Sequence, residues 1–186
     1  YASYPGALKV VDPVMADHGK VYPTYTPDLC AAMADLASDA DLLTPNLTEA
    51  AIILGEPIGD AWGGENISDD EAHRIIDALL ARGAKNVVLK GIQRGDGLIR
   101  NFVAGADTGF FEAKNEFVPY MLHGTGDLYA SALLAAIMAG RTLADAVSFA
   151  GLLTHDAMLV SAQQPDFQNR GVSFEPLLGK VASLLA

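Results

Sequence analysis

One cysteine, one tryptophan and four histidines are all that this 186-residue chain contains of those residue types. The lone Cys30 excludes a disulfide framework and a multi-cysteine zinc site, and it suits a reducing compartment. His18, His73 and His155 have no ligand spacing with one another, so a histidine metal centre is not expected. Positive charge is also scarce: 12 Lys+Arg stand against 23 Asp+Glu, a formal net charge of −11. A chain this acidic is a poor ligand for nucleic acid or anionic membrane through general electrostatics. No apolar stretch of about 18 residues stands out and no secretory leader precedes the first strand, so neither a membrane span nor export is expected, and the location expected is cytoplasmic. Any phosphate the chain handles must be held by local devices, such as a metal ion or a helix N-terminus.

What is present is a hydrophobic share of 51% in 19.5 kDa, enough for one substantial core, and a single domain over residues 1–186 is expected. Tyr1 is not an initiator Met, and the chain leads at once into a run, Leu8 to Asp12, that reads as an interior parallel strand. The expectation is that an N-terminal portion is missing. Thr26-Pro27-Asp28 opens a helix toward Ser38, Asp41 to Thr44 is a short strand stopped by Pro45, and Leu47 to Leu54 is a brief helix ending at Gly55. A Gly-rich loop with Trp62 covers 56–66. Ser68 and Glu71 read as a capping box for a helix ending at Gly83, and Asn86 to Lys90 as a buried strand closed by Gly91. Leu98 to Val103 and Phe110 to Ala113 form a hairpin. Asp127 to Met138 is apolar on nearly every face, which predicts a buried helix. A helix from Thr142 to about Val160, a loop over 163–171 and a terminal helix from Phe174 to Leu185 complete the pattern. Alternating strands and helices predict a three-layer α/β sandwich with a mostly parallel sheet.

Four segments carry candidate chemistry. His123-Gly124-Thr125-Gly126-Asp127 precedes the most apolar helix. Two glycines let the backbone approach a ligand, and the first helical amides form an anion hole. Asp127 in that first turn can take a proton from a hydroxyl beside the hole; the plain alternative is a Gly-rich turn with a dipole-compensating carboxylate. Thr44-Pro45-Asn46-Leu47-Thr48-Glu49 lies at the C-terminal end of a strand, the edge where open α/β sheets bind ligands. Asn46 and Glu49 share a helical face that can hold a hydrated Mg²⁺, or Thr44 or Asn46 simply caps the helix with Glu49 in solvent. Asp12 and Asp17 flank a Pro turn at another strand end and can serve cations or merely shape the turn; Lys90 and Gly91 close a third strand, where a Lys can neutralise phosphate. Parallel strands would bring these ends to one edge, with the Gly-rich helix start completing a ring. Metal, anion hole and carboxylate together are the parts phosphoryl transfer needs. The string is not a Walker A motif, for it lacks the Lys-Ser/Thr ending.

Asp12-Pro13-Val14-Met15, Thr44-Pro45-Asn46-Leu47-Thr48-Glu49-Ala50, Val87-Val88-Leu89-Lys90-Gly91 and Gly124-Thr125-Gly126-Asp127-Leu128-Tyr129-Ala130-Ser131 occur in the order seen in the ribokinase-like superfamily. The resemblance runs from about Val10 to Val160 and is closest to its pyridoxal (pyridoxine/pyridoxamine) kinase branch. It implies ATP-dependent phosphorylation of the 5′-hydroxymethyl group of a vitamin B6 vitamer, with Asp127 as general base and Gly124, Thr125 and Gly126 as the anion hole. It implies Asp17 at a Mg²⁺ position, and Asp12, Thr44 and Glu49 at positions serving a monovalent cation (K⁺) or metal-bound water. Asn46 would contact ATP phosphates, Lys90 and Gly91 the nucleotide, and Val118 and Leu122 the adenine. A homodimer is a further family expectation.

The family places much of its pyridine pocket in an N-terminal portion, and three βα units of about 30 residues would fit upstream of Tyr1. Weak or absent activity of the isolated chain follows. Two rivals stay open: a hydroxymethylpyrimidine kinase, which shares the ATP half, and a non-catalytic nucleotide-binding relative, against which Asp127 argues.

Overall fold

Two-residue strands begin the chain's sheet, because the segments that carry them are cut short by Pro13 and Pro45. In the computed structural model, which describes residues 3–58, 67–106 and 108–185, β1 (Val10–Val11) pairs in parallel with β4 (Leu42–Leu43), with Val11 opposite Leu43. β4 pairs in parallel with β5 (Asn86–Gln93), and β5 runs antiparallel to β6 (Leu98–Gly105). With β7 (Gly109–Glu116) the order is β1-β4-β5-β6-β7. The expected loop over 56–66 falls outside the described residues from 59 onward, Trp62 included. By contact density the chain divides into two units, Tyr1–Glu112 and Ala113–Ala186.

In the first unit, β2 (Ala16–Asp17) and β3 (Lys20–Val21) make a small antiparallel ribbon between β1 and α1 (Pro27–Ala37). Thr26 caps α1, its hydroxyl accepting from the Leu29 amide at 3.2 Å, and Pro27 takes the first helical position, where its missing N–H costs nothing. Cys30, Ala34 and Ala37 are buried and Leu29 and Leu36 exposed, so small residues form the packed stripe. α2 (Leu47–Leu54) and α3 (Asp69–Ala81) join one core with the sheet, in which Ile53, Ile75, Ile76 and Leu79 meet Leu43, Val87, Leu89 and Phe102.

Two local expectations are corrected here. Ser68 caps α3 by accepting from the Glu71 amide at 3.1 Å, but no reciprocal box forms. The Glu71 carboxylate instead takes the Arg74 guanidinium at 2.8 and 3.0 Å, and a bidentate charged pair is stronger than a bond to a lone amide. β5 does not stop at Lys90 and Gly91 but runs to Gln93 through a bulge between Leu89 and Ile92. Gly91 makes it possible with φ +83°, and its amide donates to Asn101 Oδ1 at 3.1 Å.

In the second unit, α4 (Thr125–Met138) packs extensively against α5 (Leu143–Ala162). α4 is not buried on all sides: Tyr129, Ala132, Leu133 and Ala136 are, whereas Leu134 and Met138 are exposed. Its alanines raise the average hydropathy without making a second packing stripe. Among the described residues, α5 is the one helix long and apolar enough to cross a membrane by length and composition, contrary to the expectation that no such stretch exists. Asp145, His155 and Asp156 interrupt the run but leave the average apolar; Val147, Ala150 and Leu153 are buried, whereas Leu152 and Leu159 are exposed. The terminal helix is broken: α6 covers only Leu178–Ala182, between 3-10 turns at Glu175–Leu177 and Ser183–Leu185. Pro176 and Gly179 shorten it.

Gly83 ends α3 at φ +124°, and a Cβ there would lie 2.3 Å from the Ser38 carbonyl oxygen. Gly83→Ala is expected to destabilise the chain by roughly 2–3 kcal/mol through backbone strain and that clash. A urea midpoint equal to that of the unsubstituted chain would contradict this.

Candidate functional site

Parallel pairing fixes where the first unit's polar groups emerge. β1 and β4 deliver Asp12 and Thr44 side by side past their ends, and the Thr44 hydroxyl donates to Asp12 Oδ1 at 2.9 Å. An isolated parallel bridge between Asn46 and Lys90 brings the third strand to the same rim. There the Lys90 ammonium is ion-paired with Asp12 Oδ1, both side chains about 15% exposed. Lys90 therefore stands within a cluster, at a bulge, rather than at a strand terminus.

The start of α2 supplies the rest. Asn46 Oδ1 accepts from the Glu49 amide and Glu49 Oε2 from the Asn46 amide, both at 2.9 Å, which is a complete capping box. Glu49 Oε1 accepts from the Met15 amide at 3.0 Å, Asn46 Nδ2 donates to the Ala16 carbonyl at 2.8 Å, and the Gly19 amide donates to Thr48 Oγ1 at 2.9 Å. Three side chains of one helix turn thus hold the ribbon. Asn46 caps, as the plain alternative had it, but Glu49 is only 1% exposed and not in solvent. Burial pushes its carboxyl up to about 7, against the opposing pull of the Lys90 ammonium and the Asn46 amide. Asp17 stands apart from these bonds, half exposed, its Oδ1 accepting from the His18 amide at 2.8 Å. Among the described residues no three His, Cys, Asp or Glu side chains converge as a metal cluster. A cleft of about 550 Å³ in this unit is apolar and lined by Val21, Tyr25, Pro27, Cys30, Ala31 and Ile52. Buried Cys30 is core there, as expected.

The second unit holds the glycine string. Gly124 is the N-cap of α4 at φ +86°, and with no side chain it leaves the first-turn amides uncapped. Thr125 Oγ1 turns back to the Leu122 carbonyl at 3.3 Å, and Asp127 lies in the first turn. A cleft of about 340 Å³ opens here, lined by His123, Gly124, Asp127, Ser131, Arg170 and Phe174 among others. Val118 and Leu122 are 6% and 4% exposed, whereas Tyr120 and Met121 between them are 41% and 74%. Arg170 and Phe174 escaped sequence reasoning, since an Asn-Arg-Gly string in a loop carries no signal until a backbone bond from the Val172 amide to the His123 carbonyl, 3.0 Å, places it.

Comparison with known proteins adds four findings. The family model described as phosphomethylpyrimidine kinase matches residues 2–170. A hydroxymethylpyrimidine/phosphomethylpyrimidine kinase of Rhizobium meliloti is 32% identical over 180 residues, which are 89% of this chain and 60% of that protein. Among solved structures, a pyridoxal kinase from Lactobacillus plantarum superposes with TM-score 0.78 at 29% identity, covering 96% of this chain and 62% of the other. A Leishmania donovani pyridoxal kinase in complex with ADP and pyridoxamine gives TM-score 0.78 at 22% identity, covering 95% and 57%. The fold is therefore the expected ribokinase-like one, and the chain spans less than two thirds of these relatives' length.

Glu49 gives a pH test. With its folded-state value raised from 4.5 to about 7, the native chain keeps a proton that the unfolded chain releases. The stability so gained is complete below pH 4.5 and lost as pH rises through about 7, a change of about 3 kcal/mol at most. Urea midpoints between pH 5 and pH 8 should fall in the wild type and much less in Glu49→Gln. A profile flat in both would contradict the assignment.

Proposed function

Since the chain belongs to the phosphomethylpyrimidine kinase family, we propose that it is the nucleotide-binding portion of an ATP-dependent kinase for the hydroxymethyl arm of a small heteroaromatic. The observation that carries this is the uncapped start of α4, with Asp127 one turn from Gly124, opening on its own cleft. The acceptor of the first reading is pyridoxal, pyridoxine or pyridoxamine, supported by the pyridoxal kinases among the structural neighbours. Hydroxymethylpyrimidine, or its phosphate, is the second reading, favoured by the family model and the Rhizobium relative.

In this mechanism Asp127 takes the proton of the acceptor hydroxyl as its oxygen bonds to the γ-phosphorus. The bond from that phosphorus to the bridging oxygen breaks, and ADP leaves with the electron pair. The amides of Thr125, Gly126 and Asp127 hold the charge on the transferring group. Asp12, held by Thr44, keeps the Lys90 ammonium in place for nucleotide phosphate, with Asn46 bridged to Lys90 and Gly91 beside it in the bulge. Val118 and Leu122 would back the adenine from beneath. Asp12, Asp17, Thr44 and Glu49 are the hard oxygen donors that would serve Mg²⁺ and K⁺. Mg²⁺ keeps several waters and shares substrate phosphates, so one or two of these oxygens would suffice to hold it. When bound, such ions neutralise phosphate charge. The same reading includes a cytoplasmic homodimer.

Asp127→Asn is expected to leave ATP affinity within about twofold while lowering turnover by about 10³. Calorimetry and coupled ADP release with the three B6 vitamers and hydroxymethylpyrimidine measure both and distinguish the acceptors. Unchanged turnover removes Asp127 from the mechanism, and failure of the N-terminally extended chain to turn over any of the four acceptors removes both readings. The assay is run beside a chain extended by the family's N-terminal portion, which should be the more active; equal turnover would show that the present chain already holds the acceptor pocket.

A further inference from the structure

Four of the six arginines in this acidic chain have a partner for the guanidinium. Arg74, Arg94 and Arg100 each face a carboxylate, and Arg141 donates to the Leu184 carbonyl at 3.0 Å. The side chains of two arginines, both exposed, make no hydrogen bond or ion pair among the described residues. Arg82 is one, on the exposed C-terminal end of α3. Arg170 is the other, and it lines the concave surface that also holds Gly124 and Asp127.

The loop that carries Arg170 is fastened rather than slack. The Val172 amide donates to the His123 carbonyl at 3.0 Å, and the Ser173 amide donates to the buried Ser161 hydroxyl at 2.8 Å. The Ser173 hydroxyl reaches Gln164 at 3.1 Å. Gly171 adopts φ +73°, and a Cβ there would approach the His123 carbonyl oxygen to 3.1 Å, so that glycine permits the two segments to lie this close. The Phe167 ring stacks edge-on with Tyr120 at 5.1 Å, which steadies the 3-10 turn just before Arg170. The backbone of Arg170 is thereby fixed beside the residue that precedes the N-cap of α4.

We propose that Arg170 is a positioning residue for the terminal phosphate of the nucleotide, gripping it from the wall opposite the first-turn amides of α4. The inference rests on the kinase reading above and adds a residue to it. The cleft needs such a charge: Asp127 is its one acidic lining residue, and a polyphosphate brought beside that carboxylate is repelled unless a cation shares the space. The backbone amides supply only partial charges. A guanidinium offers two parallel N–H donors to two phosphate oxygens, matching the geometry of a terminal phosphate better than an ammonium does. Leaving Arg170 without an internal carboxylate partner keeps those donors available to a ligand.

The contact is specific to the last phosphate, so the readout is the preference for a triphosphate over a diphosphate. Binding of AMP-PNP and of ADP, each with MgCl₂, is measured by calorimetry on the chain as it is. The wild type should favour AMP-PNP, and Arg170→Gln should weaken AMP-PNP about tenfold while leaving ADP within about twofold. Arg170→Lys should recover part of the loss. Arg82→Gln removes the same charge at an open surface and should change neither affinity. Thermal midpoints of Arg170→Gln and wild type should agree, since no internal bond is lost. The proposal is overturned if Arg170→Gln keeps the full preference, if Arg82→Gln loses as much, or if the wild type shows no preference. Where Asp127→Asn abolishes turnover and Arg170→Gln changes nothing, the kinase reading survives and this inference alone falls. If the wild type binds neither nucleotide, both fall.

Discussion

Glu49 accepts one backbone amide on each carboxylate oxygen, from Met15 on one side and Asn46 on the other. That divided grip is the constraint on which the first unit's rim depends. One buried side chain terminates the turn after β1, closes the cap of α2 and sits beside the Asp12–Lys90 pair. A carboxylate does this where an amide side chain would not, because both of its oxygens are acceptors and both partners are donors. Burial opposes the charge that the geometry asks for, and the raised carboxyl expresses that opposition.

Around it the rim is assembled by topology. Parallel neighbours release their next residues on the same edge, so Asp12, Thr44 and Lys90, separated by 32 and 46 positions in the chain, meet without any loop having to reach. The second unit works by a different device: a left-handed glycine starts a helix, and a loop some fifty residues later is fastened to the residue before it. Backbone donors gather there because nothing caps them.

Much of this was readable in advance. Pro and Gly punctuation, the apolar runs and the Thr-Pro cap located β4, α1, α2 and the hairpin, and the strand-end rule located Asp12, Thr44 and Lys90. What the sequence withheld depended on competition between partners. Glu71 read as half of a capping box until Arg74 took it, and a solvated Glu49 stayed open as an alternative because its burial comes from a ribbon thirty residues away. α4 read as buried all round because an apolar run does not say which of its side chains find a neighbour, and Leu134 and Met138 find none that covers them. Arg170 was invisible because its position follows from a backbone bond, and backbone bonds leave no mark on residue type.

The bulge in β5 reconciles two duties that one strand cannot otherwise serve. From Leu89 to Ile92 the strand advances three residues while its partner advances two, Phe102 to Arg100. The additional residue resets the alternation of the pleat, so Leu89 and Ile92 join the same core cluster although an odd number of steps separates them. Between them the chain gains a place where a lysine can leave the hydrophobic layer and reach the rim. Shortening the strand by Gly91 would restore regular pleating and swing everything beyond it to the wrong side, so a single glycine keeps the interior and the chemistry in phase.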